Sequence, residues 1–272
     1  MKLDMHCHTK EGSIDGTMPL LENIKILKDK GYQGMLITDH DSYHAYEYWE
    51  KLTDKPDFVV LRGIEYDTFE AGHIIVIMPS GIRPKIIGLR GLPINILIDV
   101  VHRYGGILGP AHPYGEIFQS YVNTRYGHHH MEIIKKFDFI ESFNACEGGA
   151  ANAAAAALAG LYGKPVFGGS DSHRTNAAGM GYTIITDDIK NESELIDYIH
   201  AKKSTEAGGE FYMHTARSKI GPAKHVFNYL FWAYNKSMAL VRTPERSTAF
   251  HRIKKEDIIA SHNISKHYTT LE

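Results

Sequence analysis

The sequence predicts an α/β fold: parallel strands flanked by helices, closed into a barrel, with a C-terminal extension. Three observations carry that prediction. Strand-like and helix-like segments alternate through roughly the first 200 residues of a 272-residue chain. So many repeated units in one core favour a closed barrel over an open sheet. Histidines and carboxylates recur where apolar strands end, which is where α/β barrels gather their catalytic groups.

Residues 3–8 read as a first strand. Residues 19–30 read as a helix, with Thr17 as its cap, Pro19 in the first turn and Gly31 as the stop. An apolar strand at 34–38, a helix at 42–52 and a single strand at 58–65 follow. Residues 72–78 form a strand rich in isoleucine and valine, 94–104 a helix and 106–109 a strand. Next come a strand at 137–143, an alanine-rich helix at 150–162 and a strand at 165–169; the alanines favour helix and close packing. A strand at 182–185 and a helix at 193–202 complete the alternation. Near residue 208 the rhythm fails. The expected division is a domain at 1–207 and an extension at 208–272, the latter an aromatic-rich helix at 226–234 and a polar, basic tail. The extension reads as a packing arm or homo-oligomer contact rather than a membrane-surface element, because its helix carries few lysines and arginines.

Composition excludes several classes. With 43% hydrophobic and 23% charged residues the chain is an ordinary globular one. A formal net charge of −2 gives no reason to expect long nucleic acid or an anionic membrane as partner. The two cysteines, Cys7 and Cys146, cannot build a disulfide framework and suit a reducing compartment. No signal-peptide pattern or membrane-length apolar run is present, so the expected location is the cytoplasm. The one excess is histidine, 17 in all.

Strand alternation puts His6 and His8 on one face, with Asp4 on the same face and Cys7 opposite. Two imidazoles backed by a carboxylate can chelate a divalent metal. Later strand ends supply partners: Asp15 in Ser13-Ile14-Asp15-Gly16, His40 in Thr38-Asp39-His40-Asp41, and Glu65 in Gly63-Ile64-Glu65. His73 follows Gly72, His112 stands in Pro110-Ala111-His112-Pro113, and Asp171 and His173 close Gly169-Ser170-Asp171-Ser172-His173. Each has an ordinary explanation of its own: a core histidine, a turn aspartate, a capped loop. All of those explanations would have to hold together, each at a strand end, where a buried charge is costly unless paired or metal-bound. Histidine and carboxylate without cysteine suit Zn²⁺, Mn²⁺ or Fe²⁺. Nine candidate ligands exceed one tetrahedral site and suffice for two or three ions sharing a bridging carboxylate.

In these motifs the chain resembles the polymerase and histidinol phosphatase (PHP) family: His-x-His, Thr-Asp-His, Gly-x-Glu, a later His, His-Pro and a terminal Ser-Asp-x-His, in order across residues 1–185. The variant it most resembles is the small stand-alone phosphoesterase, which shares the loop ending Asp15-Gly16, the segment Ile140-Glu141-Ser142-Phe143-Asn144, and Gly179-Met180-Gly181-Tyr182-Thr183. The resemblance implies a distorted (β/α)7 barrel and three divalent ions (Mn, Fe or Zn). One would take His6, His8, Glu65 and Asp171, a second Asp15, His40 and His173, and a third Glu65, His73 and His112. The implied activity is hydrolysis of a small phosphate ester (a nucleotide, a sugar phosphate or a histidinol-phosphate-like monoester) by a metal-bridging hydroxide. Asp171 and His173 are the candidates for proton transfer to the leaving group, and Asp4 and Asp39 for orienting imidazoles. Arg174, Arg125 and Asn144 are candidate substrate contacts, arginine's fork suiting phosphate oxygens. His128-His129-His130 reads as a loop over the barrel mouth, outside the ligand set.

Three rivals come from other classes. An amidohydrolase barrel also opens with His-x-His, but no strand-end lysine offers itself as a carbamylated bridge. A nuclease of short oligonucleotides is compatible with the same centre, although no basic and aromatic strip marks a track for long polymers. A non-catalytic module that keeps metal for stability is disfavoured by the full ligand set.

Overall fold

A computed structural model describes residues 1–117, 119–212, 224–241 and 244. Its ten strands are β1 (Lys2–Cys7), β2 (Gly34–Ile37), β3 (Val59–Arg62), β4 (Ile64–Asp67), β5 (His73–Ile77), β6 (Ile107–Pro110), β7 (Ile140–Asn144), β8 (Val166–Gly169), β9 (Gly181–Ile185) and β10 (Thr205–Gly209). Its helices are α1 (Leu20–Asp29), α2 (His44–Lys51), α3 (Ile94–Arg103), α4 (Arg125–His129), α5 (Gly149–Tyr162), α6 (Glu192–His200) and α7 (Lys224–Val241).

The fold is mixed α/β, and the strands fall into three sheets, ordered β10-β9-β1-β2-β3, β4-β5-β6 and β7-β8. Pairing is parallel among β1, β2 and β3 and between β7 and β8, but β9 and β10 and all of the second sheet pair antiparallel. This corrects the expectation of parallel strands throughout. Where strand follows strand with only a short turn and no crossover helix, as from β4 to β5, the second must run antiparallel.

Hydrogen bonds at the strand ends stitch the sheets together. Gly63 alone separates β3 from β4, dividing what the sequence suggests is one strand at 58–65. Asp138 N donates to Leu108 O at 2.9 Å, joining the segment before β7 to β6, and Asp171 N donates to His6 O at 2.7 Å, joining the end of β8 to β1. One apolar cluster draws on all three sheets, with Leu3, Met5, Leu36, Ile75, Ile107 and Phe167 among its members. Another packs Leu20, Ile24 and Leu27 of α1, an i, i+4, i+7 stripe, on Met35 and Ile37.

Two local predictions change. Thr17 does not cap α1: its hydroxyl donates to His173 O at 2.9 Å, and the free Leu20 N is met instead by the Glu11 carboxylate at 3.0 Å. Residues 128–130 are not a loop over a barrel mouth, since His128 and His129 end helix α4, whose cap is Thr124 accepting from Gly127 N. Beyond residue 208 the aromatic helix is longer than expected, and Lys236 Nζ anchors it to the body by donating to Thr68 O at 2.6 Å. The polar tail lies outside the described residues. No helix among the described residues is long and apolar enough to cross a membrane.

Candidate metal centre

The centre starts from a defect in β1. Leu3 and Met5 face the cluster shared by the sheets, and strict alternation would send Cys7 the same way. Cys7 instead lies against α1 with Leu20 and Ile24. The pairing register of β1 on β2 slips between Asp4 and Cys7, and such a bulge re-aims the side chains that follow. His6 and His8 thereby turn to a common site, while Asp4 does not join them. Its carboxylate accepts from Ser170 N at 2.9 Å, Ser170 Oγ at 2.6 Å and His6 N at 3.3 Å, and touches no imidazole. Asp39 likewise accepts from Thr9 N (2.7 Å) and Thr9 Oγ1 (2.8 Å). Both aspartates hold backbone, correcting the expectation that they orient rings. Burial pushes each carboxyl up to about 6.

Glu65 is the hub. Its carboxylate lies 3.0 Å from His40 Nδ1, 3.0 Å from His73 Nδ1 and 3.0 Å from His112 Nε2, and 3.6 and 3.4 Å from the Nε2 atoms of His6 and His8. Asp171 adds a second carboxylate, Oδ1 standing 3.6, 3.3 and 3.6 Å from His6, His8 and His173. Asp15 Oδ2 reaches His40 at 3.5 Å and His173 at 3.2 Å. All nine predicted ligands are therefore linked in one connected cluster. Burial would push Glu65 up, but the imidazoles of His73, His40 and His6 outweigh it and hold the carboxyl well below its usual range. The cluster is graded: His6 and His8 are fully buried, whereas the side chains of Asp15 and His173 are 42% and 29% exposed. A ligand must approach from the Asp15–His173 side. The backbone at Asp41, His112 and Asp171 has φ of 47°, 29° and 49°.

Three of the imidazoles are oriented by groups the sequence reading did not single out. His6 Nδ1 lies 2.8 Å from Glu141 Oε1, His8 Nδ1 3.0 Å from Ser13 Oγ, and His112 Nδ1 3.0 Å from Ser120 Oγ. Glu141 also accepts from His112 N at 2.5 Å, so one carboxylate sets the ring of one candidate ligand and the backbone of another. Its signal in the sequence was a lone carboxylate inside a buried strand. Asn144 Nδ2 donates to Glu141 (3.3 Å) and to Asp171 Oδ2 (3.2 Å), and is itself placed by Asn152 of α5, whose amide pairs with the Asn144 backbone. Arg174 is exposed beside His173, while Arg125 lines a separate cavity with none of the nine.

These contacts test whether the residues suit a metal. With Glu141, Ser13 and Ser120 at their Nδ1 atoms, His6, His8 and His112 turn their Nε2 atoms inward. Burial and the neighbouring His173 drive His8 down to about 3, so it is neutral, yet its Nε2 stands 3.2 Å from that of His6. Burial opposes the charge, but the neighbouring carboxylates hold His6, His40 and His112 above the usual imidazole range, so without metal protons supply the positive charge among these groups. A cluster of imidazoles and carboxylates that draws in positive charge in this way fits divalent ions. Three groups have ligand atoms within 4.8 Å of one another: His8, Asp15, His40 and His173; His6, His8 and Asp171; His40, Glu65 and His73. The grouping places His8 and His40 each between two sites, unlike the partition the resemblance implies, and leaves His112 on Glu65.

Two predictions arise here. Glu141→Gln keeps the shape and loses the charge-assisted bond to His6; metal affinity should fall about 10–100-fold, read by competition with a chromogenic chelator. Metal loading should also be pH-dependent. Burial pulls His40 down, but Glu65 and Asp15 outweigh it and hold the metal-free imidazole at about 10. Loading at pH 7 must then expel that proton, so calorimetry in buffers of different ionisation heat should show proton release, and affinity should rise with pH. The same proton stabilises the metal-free fold fully below the ordinary 6.5, and that contribution is lost as pH rises through about 10.

Comparison with known proteins gives one family match and several shared folds. Residues 149–204 match the PHP-associated family model. An uncharacterized protein of Methanocaldococcus jannaschii is 30% identical over 129 residues, 44% of this chain and 72% of that protein. A two-domain protein of Bacteroides vulgatus containing a predicted PHP-like metal-dependent phosphoesterase superposes with a TM-score of 0.55 at 16% identity, over 77% of this chain and 65% of that one. The lesion-specific endonuclease EndoQ of Pyrococcus furiosus superposes at 0.54 and 14% identity, over 76% of this chain and 57% of that one. The chain belongs to the PHP family.

Proposed function

We propose that this protein is a hydrolase of small phosphate esters, working from a cluster of two or three divalent ions in a (β/α)7-type barrel. The observation that supports it is one connected cluster of nine His, Asp and Glu side chains, five imidazoles of which approach the carboxylate of Glu65, open to solvent at Asp15 and His173. Ions bound there lower the pKa of a water and neutralise phosphoryl oxygens. His6, His8, Glu65 and Asp171 form the buried floor and exclude bulk water. Asp15, His40 and His173 form the accessible wall that meets substrate. His173 Nδ1 donates to Asp171 O at 3.0 Å, which leaves Nε2, 3.2 Å from Asp15 Oδ2, free either to hold an ion or to pass a proton to a leaving oxygen but not both. Arg174, exposed and next to His173 in sequence, is our candidate to meet phosphate oxygens at the rim.

A second reading, cleavage of a short phosphodiester, is favoured by the fold shared with the endonuclease EndoQ. The test for both is to count metals in purified protein and assay phosphate or nucleotide release from nucleotides, sugar phosphates, histidinol phosphate and short oligonucleotides with Mn²⁺. Monoester turnover that vanishes in His6→Ala and Asp171→Ala supports the first reading, and oligonucleotide cleavage alone the second. No turnover, with metal content unchanged in both variants, would overturn both.

A further inference from the structure

A second cluster of buried charge lies beside the nine candidate ligands: Asp41, Asp67, Arg90 and Lys236 of α7, whose side chains are only 6–17% exposed. We propose that it is a clamp through which the seating of α7 on the body sets the affinity of His40, Glu65 and His73 for a divalent ion. The inference rests on the metal-centre reading and holds whichever ester is the substrate.

The clamp grips the backbone that carries these three ligands. His40 and Glu65 sit opposite each other in an isolated parallel bridge, and His73 pairs with Asp67 across β4 and β5. Asp41, the residue after His40, fastens that bridge twice. Its N donates to Glu65 O at 3.1 Å, and its Oδ1 accepts from Asp67 N at 3.0 Å. It does so from a left-handed corner, φ 47°, that a Cβ resists, so its partners must hold it there. Those partners come from the loop at 90–92. Arg90 Nε donates to Asp41 Oδ2 at 2.6 Å, Gly91 N to Asp67 O at 2.9 Å, and Leu92 N to Tyr66 Oη at 2.9 Å. One short loop thus holds Asp41 and both residues that follow Glu65.

Lys236 extends the clamp to α7. Its Nζ donates to Thr68 O at 2.6 Å, just past the end of β4, and stands 3.9 Å from Asp67 Oδ1 and 5.7 Å from the Phe69 ring centroid. Two carboxylates and two cations balance here, and buried charges are costly unless each keeps its partner. Removing either cation leaves a carboxylate unpaired in the interior. The easiest relief is for Asp41 or Asp67 to turn toward water, which loosens the His40–Glu65 bridge. Such coupling is reciprocal: if seating α7 raises metal affinity, bound metal must hold α7 in place by the same factor.

The test uses the full-length chain, with and without Mn²⁺. Lys236→Met removes the charge and keeps an unbranched side chain. Arg90→Met does the same one step nearer the ligands, and Arg90→Lys restores the charge without the fork. Competition with a chromogenic chelator reads affinity, and hydrogen exchange followed by mass spectrometry reads α7. Arg90→Met should weaken one ion at least about tenfold, the lower bound for groups that orient ligands, and Arg90→Lys should recover part of that loss. Lys236→Met should weaken it about fivefold or more, the lower end of ordinary coupling. In the parent, Mn²⁺ should slow exchange across Lys224–Val241, and Lys236→Met should abolish that slowing. Should Arg90→Met fail to fold, Lys236→Met still decides. A cluster that serves stability alone predicts lower melting temperatures with metal affinity unchanged. That result, or α7 exchange indifferent to Mn²⁺ in the parent, overturns the inference. A parent that binds no metal defeats the metal-centre reading along with it. Metal affinity that follows Arg90 and Lys236 in a protein hydrolysing no ester defeats the hydrolase reading alone.

Discussion

Glu65→Gln should strip the centre. Five imidazoles approach this one carboxylate, three of them at 3.0 Å, from β1, from the segments after β2 and β6, and from β5. The amide keeps the volume but presents N–H donors where an anion is required, and it cannot bridge cations. Metal content, measured by plasma mass spectrometry, should fall by at least one ion per chain. Activity should fall more than about 100-fold, since even partners one shell out cost 10–100-fold. Full metal content with unimpaired turnover would show that Glu65 is not the hub.

Gly169→Ala should be nearly as damaging, for a steric reason. A Cβ at Gly169 would stand 2.4 Å from His6 Cβ and 2.5 Å from His6 N, so β8 must retreat from β1. The contacts are with backbone and a ligand's first carbon, and neither can swing aside. Overpacking costs about 1–3 kcal/mol, and this contact belongs at or above the top of that range, lowering the melting temperature by about 6–12 °C in a domain of this size. Because Asp171 follows two residues later, metal affinity should fall with it. A variant that melts and binds metal like the parent would refute the close approach.

The candidate ligands were legible in the sequence because nearly all are polar residues at the edge of an apolar strand, with Asp15 in the loop after the first. What orients them was not. Glu141 lies 135 positions from His6, and nothing local marks Ser13 or Ser120 as partners of imidazoles. The alternation rule assigned the right face to His6, His8 and Cys7 but the wrong one to Asp4, because the β1 register slip cannot be read from residue types. The sheet arrangement was only half visible. Short strands with ordinary patterns identify a mixed α/β chain, yet parallel and antiparallel neighbours look alike in sequence. Strand β10, Thr-Glu-Ala-Gly-Gly, has almost no strand propensity and exists because the edge of β9 is there to pair with.

The left-handed corners at Asp41, His112 and Asp171 have a cost. Side chains with a Cβ resist that conformation by about 1–2 kcal/mol per residue, and glycine does not. Asp171→Gly and Asp171→Ala remove the same carboxylate, so both should be inactive, yet the glycine variant should melt higher by the equivalent of about 1 kcal/mol. The backbone at this corner would be more comfortable without the residue that the chemistry needs. The fold keeps Asp171 against its own local preference, and stability and activity are traded at a single φ of 49°.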